Sequence, residues 1–252
     1  MTSPAANFPH LLLGRMAYAD AYAQQTLCHE RVLAQREHAQ SNPGIPAGFI
    51  LSVEHPAVIT ISRRAEAADH LLASCDLLAT QGIGVEATDR GGDITYHGPG
   101  QLVLYPIIDL NRLGLGLHDY MRLLEQSVID ACAQWSVATQ RDAQATGVWV
   151  GSTHLAPTGD QPLAKIAAFG VRVRRWISMH GLALNVRTNL AHYAHIVPCG
   201  LHGRPVTSLQ QLLPQTCPTF DEARDTVVQR LQHLLQQRLA SHQARGSASQ
   251  ST

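Results

Sequence analysis

The sequence predicts an α+β fold: a mixed β-sheet flanked by helices in one domain. Helix-like and strand-like patterns follow one another without the regular βαβα order of a doubly wound sheet. Of 252 residues, 45% are hydrophobic and 15% charged, a balance that buries a core and argues against global disorder. No repeat and no long linker divides the chain, so 1–241 reads as a single domain. The polar, small residues of 242–252 read as a disordered tail.

The elements follow in order. Residues 18–40 read as a helix, which SNPGIPAG breaks. Residues 49–54 and 58–62 read as strands interrupted by His55-Pro56. Leu71, Leu72, Cys75 and Leu78 give 69–81 a helical spacing, with Gly82 as its stop. Arg90 and His97 bracket a short strand. Residues 101–109 are a strand whose Pro106 places it at an edge or bulge. Tyr120, Leu123, Leu124, Val128 and Cys132 mark a helix over 118–135. Strands follow at 147–150, 165–176 and 177–186. Val171 and Val173 alternate there with Arg172 and Arg174, the period of a half-exposed strand. Residues 207–213 and 221–239 read as helices.

Composition removes several classes of function. No stretch approaches 18 uninterrupted apolar residues, so no membrane helix is expected. The start lacks the pattern of a secretory or transit segment. Five widely spaced cysteines without a C-x-x-C argue against a disulfide framework or structural zinc, and point to a cytoplasmic protein. His192 and His195 have H-x-x-H spacing but no supporting carboxylate or cysteine cluster, so no metal is expected. No Walker loop and no G-x-G-x-x-G after a strand is present.

Charge is unevenly placed. Residues 161–220 carry Lys165, Arg172, Arg174, Arg175, Arg187 and Arg204 and no Asp or Glu, although the chain is neutral overall. Either this segment meets an anionic partner or its arginines pair with carboxylates elsewhere in the fold. Trp176 and Tyr193 lie in it, but no single-strand-binding motif does, so nucleic acid is not expected. Lys165 is the only lysine, against 18 arginines. Lysine, unlike arginine, can lose its proton when its surroundings demand it.

Three stretches concentrate chemistry. RGGDITYHGPGQLVLY (90–105) packs Gly91, Gly92, Gly98 and Gly100 beside Arg90, His97 and Gln101. Such glycines let a ligand approach the main chain closely, and a tight hairpin would use them as well. In LAKIAAFGVRVRRWISMHGLALNV (163–186), Ala167, Ala168 and Gly170, and then Gly181, Leu182 and Ala183, place little side-chain volume on adjacent strands beside Lys165. That spacing suits close packing, or room for a slender apolar ligand. IVPCGLHG (196–203) sets Cys199 between Pro198 and Gly200 in a loop. A loop thiol becomes a nucleophile when a nearby cation lowers its pKa, and Lys165 or His97 could supply that cation. Cys28, Cys75 and Cys132 fall in helical patterns, where a thiol is a small core filler.

At these three stretches the sequence resembles the octanoyltransferase family of lipoate biosynthesis, over about residues 10–240. RGGDITYHGPGQLVLYPI, KIAAFGVRVRRWISMHGLALNV and IVPCGLHGRPVTSL match its blocks in order. TISRR at 60–64 departs from it, with Ser62 where glycine is expected, and His202 and Gly203 stand where members vary.

The resemblance implies the catalytic fold shared with biotin protein ligases and lipoate ligases. It implies an acyltransferase that moves octanoyl from octanoyl-acyl carrier protein to a lysine of lipoyl domains of 2-oxoacid dehydrogenases and of the glycine cleavage H protein. Cys199 matches the acyl-accepting cysteine and Lys165 the lysine that tunes it. Arg90, Gly91, Gly92, Asp93, Ile94, Thr95, Tyr96 and His97 match substrate-lining positions, as do Ala168, Phe169, Gly170, Gly181, Leu182 and Ala183. His97 would orient the Cys–Lys pair or donate to the oxyanion. No cofactor is implied, and a monomer is expected. The alternatives are an ATP-dependent lipoate or biotin ligase of the same fold, and an inactive binding protein for acyl carriers or lipoyl domains.

Overall fold

The computed structural model describes residues 7–40, 42, 44–151, 163–197 and 204–248. Its centre is the strand Gln101–Ile108 (β6), buried at every position. Successive side chains point to opposite faces. Leu102 and Leu104 enter one core and Val103, Tyr105 and Ile107 the other. A strand buried on both sides reads as an unbroken apolar run, as QLVLYPII does.

Seven strands form the large sheet. In spatial order they are His10–Arg15 (β1), Gly48–Glu54 (β2), β6, Ile177–Asn185 (β10), Ala164–Arg174 (β9), Val148–Val150 (β8) and Thr139–Gln140 (β7). A smaller sheet orders Gly84–Ala87 (β4), Val58–Ile61 (β3) and Ile94–His97 (β5). β1 runs parallel to β2 and β4 to β3, while the other neighbours are antiparallel, so the sheets are mixed. Helix Tyr18–Gln35 (α1) covers one face of the large sheet through Ala21 and Val32. The other face is covered by Leu117–Gln134, through Tyr120, Leu124 and Val128, and by Phe220–Ala248, through Leu231 and Leu235. Short helices at Cys75–Thr80 (α2), Leu110–Leu113 (α3) and Leu209–Leu212 (α5) sit at connections, so the two long helices are α4 and α6. Among the described residues no helix is long and apolar enough to cross a membrane.

Several expectations need correction. β6 lies at the centre of the sheet, not at its edge. Its ladder with β10 ends at Leu104–Leu182, and Pro106 lies just past that point, where its missing N–H leaves no bond unmade. The side chain of Ser178 spans the gap: its hydroxyl donates to Pro106 O at 2.7 Å and accepts the Ile108 N–H at 2.9 Å. The helix expected over 69–81 is a 3₁₀ turn at Ala67–His70 followed by α2. Residues between them are drawn away, because Leu71 pairs with Ile196 and the Leu72 N–H donates to His195 O. Ser74 then caps α2 through the Leu77 N–H. The first helix stops at Gln35, with a separate 3₁₀ turn at His38–Gln40. Most of the expected tail is helical, since α6 runs to Ala248. Leu239 is its last buried apolar residue among those described, residues 240–245 beyond it are exposed, and the sequence there carries no apolar periodicity to read.

Ser178→Ala should cost about 1–3 kcal/mol, because it leaves the buried Ile108 N–H without an acceptor. Urea unfolding should show a lower midpoint at an unchanged slope.

Candidate active site

The loop before β5 is stitched to β9 main chain to main chain. The Gly91 N–H donates to Val171 O at 3.0 Å. A Cβ on Gly91 would lie 2.7 Å from Val171 O, and one on Gly170 would lie 2.7 Å from Gly91 O. Glycine is required at both positions by this approach. Arg90 is fixed over β3, donating through Nη2 to Thr60 O at 2.9 Å and to its hydroxyl at 2.9 Å.

The stitched loop roofs a narrow, mainly apolar cavity. Arg90, Gly92, Ile94, Thr95 and His97 line it from the loop and β5. Ala168, Phe169 and Gly170 line it from β9, and Gly181, Leu182 and Ala183 from β10. Gly91 opens instead on the adjoining groove, which holds Lys165 and shares Gly92, Phe169 and Gly170 with the cavity. Two further expected positions line neither the cavity nor the groove. Asp93 is buried and pairs with His70 Nδ1 at 2.6 Å. Tyr96 points to the opposite side of β5, where its ring packs edge-on to Tyr193 and its hydroxyl meets His192 Nδ1 at 2.8 Å. Strand alternation separates it from Thr95 and His97.

Sequence reasoning missed Tyr18, Val103, Tyr105 and His180, all of which line the cavity. No glycine motif marks Tyr18. His180 lies inside a quoted block, but its left-handed backbone (φ 57) leaves no trace in a strand-like sequence. Ser62 is unstrained where glycine was expected: its N–H donates to Asp93 O at 3.2 Å, and its hydroxyl accepts the Arg64 N–H at 3.3 Å.

Lys165 is buried on β9, with Nζ 4.7 Å from the centroid of the Trp149 ring. Its own N–H donates to Pro205 O at 2.9 Å, and its carbonyl accepts the Thr207 N–H at 2.9 Å. Cys199, with Pro198 to Gly203, lies outside the described residues. Of the described cysteines, Cys28 and Cys132 are buried as core fillers, and burial pushes the Cys132 thiol up to about 12. Cys75 is exposed, contrary to a core role, and Cys217 is half-buried. None of the four lines the cavity or the groove.

The histidines of the cavity are neutral hydrogen-bond acceptors. Gln101 Nε2 donates to Asn185 Oδ1 at 2.9 Å and to Tyr96 O at 3.2 Å. Its carbonyl therefore faces His97 Nδ1 at 2.6 Å, so Nδ1 carries the proton and Nε2 is bare. Burial, then the nearby His55, pulls His97 down to about 3. A neutral ring in this tautomer cannot donate to an oxyanion, and at a pKa of about 3 it is a hydrogen-bond acceptor and orienting group rather than a base. His180 is built alike: Nε2 lies 2.8 Å from Asp89 Oδ1, and buried Nδ1 has no hydrogen-bond partner. Burial, then Arg90 and Arg172, pulls it to about 3. Tyr105 donates to His55 Nε2 at 2.8 Å, and burial raises its phenol well above 10.

Most of the unbalanced positive charge of 161–220 is used within the fold. Arg172 pairs with Asp89 and Arg204 with Asp142. Arg187 donates to Cys217 O at 2.9 Å. Arg174 and Arg175 stay exposed. Among the described residues no cluster of three metal-ligating side chains forms.

The two neutral rings make stability pH-dependent. His97 and His180 have folded pKa values of about 3 against 6.5 for an unperturbed histidine. Below pH 6.5 the unfolded chain binds more protons, so stability falls as pH drops toward 3. The loss is up to about 1.4 kcal/mol per pH unit for each ring. Urea unfolding at pH 7 and pH 5 should show this difference, and His97→Gln should shrink it. Equal stability at both pH values would contradict neutral buried rings.

The lipoyl protein ligase A/B catalytic domain family matches residues 20–232. An octanoyltransferase of Bacteroides fragilis is 44% identical over 197 residues, 78% of this chain and 84% of its own length. One of Flavobacterium johnsoniae is 37% identical over 226 residues, 89% of this chain and 94% of its own. In fold, the chain is similar to the bi-partite lipoate protein ligase of Thermoplasma acidophilum, solved in a study of that ligase and its E2 lipoyl domain. The TM-score is 0.63 at 15% identity, covering 90% of this chain and 83% of that one. With a catalytic-domain match over most of its length and relatives above 35% identity, the chain belongs to the octanoyltransferase family, within the lipoyl protein ligase A/B catalytic domains.

Proposed function

We propose that this acyltransferase moves an octanoyl group from octanoyl-acyl carrier protein, through a thioester on Cys199, to a lysine of lipoyl domains. The acceptors are those of 2-oxoacid dehydrogenases and the glycine cleavage H protein. One observation carries the reading. A slot walled by Ala168, Gly170, Gly181 and Ala183 adjoins the chain's only lysine. The strand that holds this lysine pairs with residues 205–207, just after the segment of Cys199.

The octanoyl tail occupies the apolar slot, which leaves its carbonyl toward Lys165. The cation of Lys165 favours the thiolate of Cys199. The thiolate attacks the thioester carbon, a C–S bond forms, and the tetrahedral oxyanion collapses by breaking the bond to the carrier sulfur. The carrier thiolate leaves with the proton of Lys165, which is then neutral. The neutral amine of the acceptor lysine then attacks the acyl-enzyme. A C–N bond forms, Cys199 leaves as thiolate, and the amine's surplus proton passes to deprotonated Lys165. Thioester to thioester to amide runs downhill, so the transfer needs no nucleotide.

The direct test mixes the protein with octanoyl-carrier protein and a lipoyl domain, without ATP or magnesium. Intact mass should show one octanoyl adduct on the enzyme, absent in Cys199→Ala, and then an octanoylated acceptor. Strict dependence on ATP, or an adduct that survives Cys199→Ala, would overturn the reading.

Lys165→Arg separates charge from proton transfer. Arginine keeps a cation but cannot accept a proton at neutral pH, since its pKa stays above about 12. In a single-turnover mix this variant should accumulate acyl-enzyme, while Lys165→Ala slows both steps. Transfer by Lys165→Arg at the wild-type rate would reduce Lys165 to a positive charge.

A further inference from the structure

Trp149 and Lys165 stand opposite each other in the β8–β9 ladder, and the register shifts between Val148 and Trp149. A shift of this kind re-aims a side chain beside a site. The Trp149 ring is fully buried and has two cations against it. Lys165 Nζ lies 4.7 Å from its centroid and Arg204 Cζ lies 4.2 Å from it.

The ring is itself held. Its Nε1 donates to Ala145 O at 3.2 Å. Gly147 keeps space for both partners, since a Cβ there would lie 3.0 Å from Lys165 Cε and 3.0 Å from Trp149 Nε1. The Gly147 N–H donates to Oε1 of buried Glu125 at 3.3 Å. Glu125 Oε2 pairs with Arg122 at 2.8 Å and with Arg141 at 3.0 Å, which ties the loop before β8 to α4. Arg204 pairs with Asp142 in the same loop, and it is the residue that follows the segment of Cys199. One ring therefore meets both the lysine and the chain next to the cysteine segment.

We propose that Trp149 is a positioning residue for the transfer, the face of its ring holding the Lys165 ammonium in the groove, an inference that rests on the acyl-transfer reading above. The four-carbon stem of lysine has many rotamers, and ordering it costs free energy. A ring face attracts an ammonium more weakly than a carboxylate does. It fixes the side chain and still lets the proton leave, which the second half of the reaction requires. The ring favours the charged amine. Arg204 at the ring and Arg64 at the groove favour the neutral one, and the carboxylate of Asp142 is spent on Arg204.

The test reads the lysine directly. Lys165 is the only lysine, so protein made with isotope-labelled lysine gives one side-chain NMR signal, and its titration is that of Lys165. Trp135→Phe with Trp176→Phe leaves Trp149 as the single tryptophan, and neither replaced residue lines the cavity or the groove. Monofluorotryptophan and then trifluorotryptophan keep the shape of the ring and draw negative charge from its face. The Lys165 midpoint should fall stepwise, by about one pH unit in all, at a nearly unchanged melting temperature. Transfer from the acyl-enzyme to a lipoyl domain should then rise at correspondingly lower pH, with the KM for octanoyl-carrier protein unchanged. Trp149→Phe, which keeps a π face, should retain kcat within about threefold, whereas Trp149→Leu should lose about tenfold or more. The ring-current displacement of the Lys165 Cε protons should survive only in the former. A midpoint unmoved by fluorination, or equal losses in the two variants, would reduce Trp149 to core packing and overturn the proposal. Failure of the wild-type protein to transfer octanoyl at all would instead refute the acyl-transfer reading, and the titration would still show whether the ring holds the ammonium.

Discussion

One buried amide fixes how the two sheets meet. Gln101 opens β6 and is fully buried. Its carbonyl accepts from His97 on the small sheet, and its amide donates to Asn185 on β10 and to the Tyr96 carbonyl. Asn185 in turn donates to Thr207 O at 3.0 Å, and the Thr207 N–H donates to the carbonyl of Lys165. A continuous chain of hydrogen bonds therefore runs from the cavity histidine to the lysine strand. Leaving one such buried group unpaired costs about 1–3 kcal/mol, so the network holds one arrangement of sheet, cavity and lysine rather than several.

That arrangement also decides the charge of the cavity. Because the Gln101 carbonyl is committed to His97 Nδ1, the opposite ring nitrogen is a bare acceptor. Asp89 does the same to His180 from the other side. Both rings are held neutral by burial. The cations at the site are then Arg90, tied to Thr60, Arg64 at the groove, and Lys165, set against Trp149. The two arginines cannot give up their protons, and Lys165 is the one cationic side chain there that can. A thiolate or oxyanion in this setting gains from fixed positive charge, while proton transfer has a single basic lysine to use.

Much of this was legible in the sequence, for physical reasons. Glycines at 91, 170 and 181 are visible as residue type, and close main-chain approach demands that type, as a positive φ does at Gly92. Periodicity located β6, β9, β10 and the helix carrying Tyr120 and Val128. What failed was decided by tertiary partners. Pro106 signals an edge only until Ser178 supplies the missing pairing. Leu71 and Leu72 have helical spacing, but His195 and Ile196 draw them out of a helix. Strands β1, β4 and β7 were not foreseen. β4 is exposed throughout and β7 is two residues long, so neither carries an apolar pattern. The arginine excess in 161–220 is legible as charge, but only the fold separates Arg172 and Arg204, which face carboxylates, from Arg174 and Arg175, which face water.

The glycine approaches bear on selectivity as well as on folding. A Cβ on Gly181 would lie 2.3 Å from Leu104 O, and one on Gly170 would meet Gly91 O. The cavity walls at these points are main chain, fixed by sheet hydrogen bonds, with only the methyl groups of Ala168 and Ala183 added. Side chains can change rotamer to accommodate a wider ligand, but a paired backbone cannot without breaking its ladder. A slot built this way selects by cross-section: it takes an unbranched chain and resists a branched one. The same rigidity would keep the carbonyl end of the proposed octanoyl chain in register with the groove of Lys165, because cavity and groove share Phe169 and Gly170 on one strand.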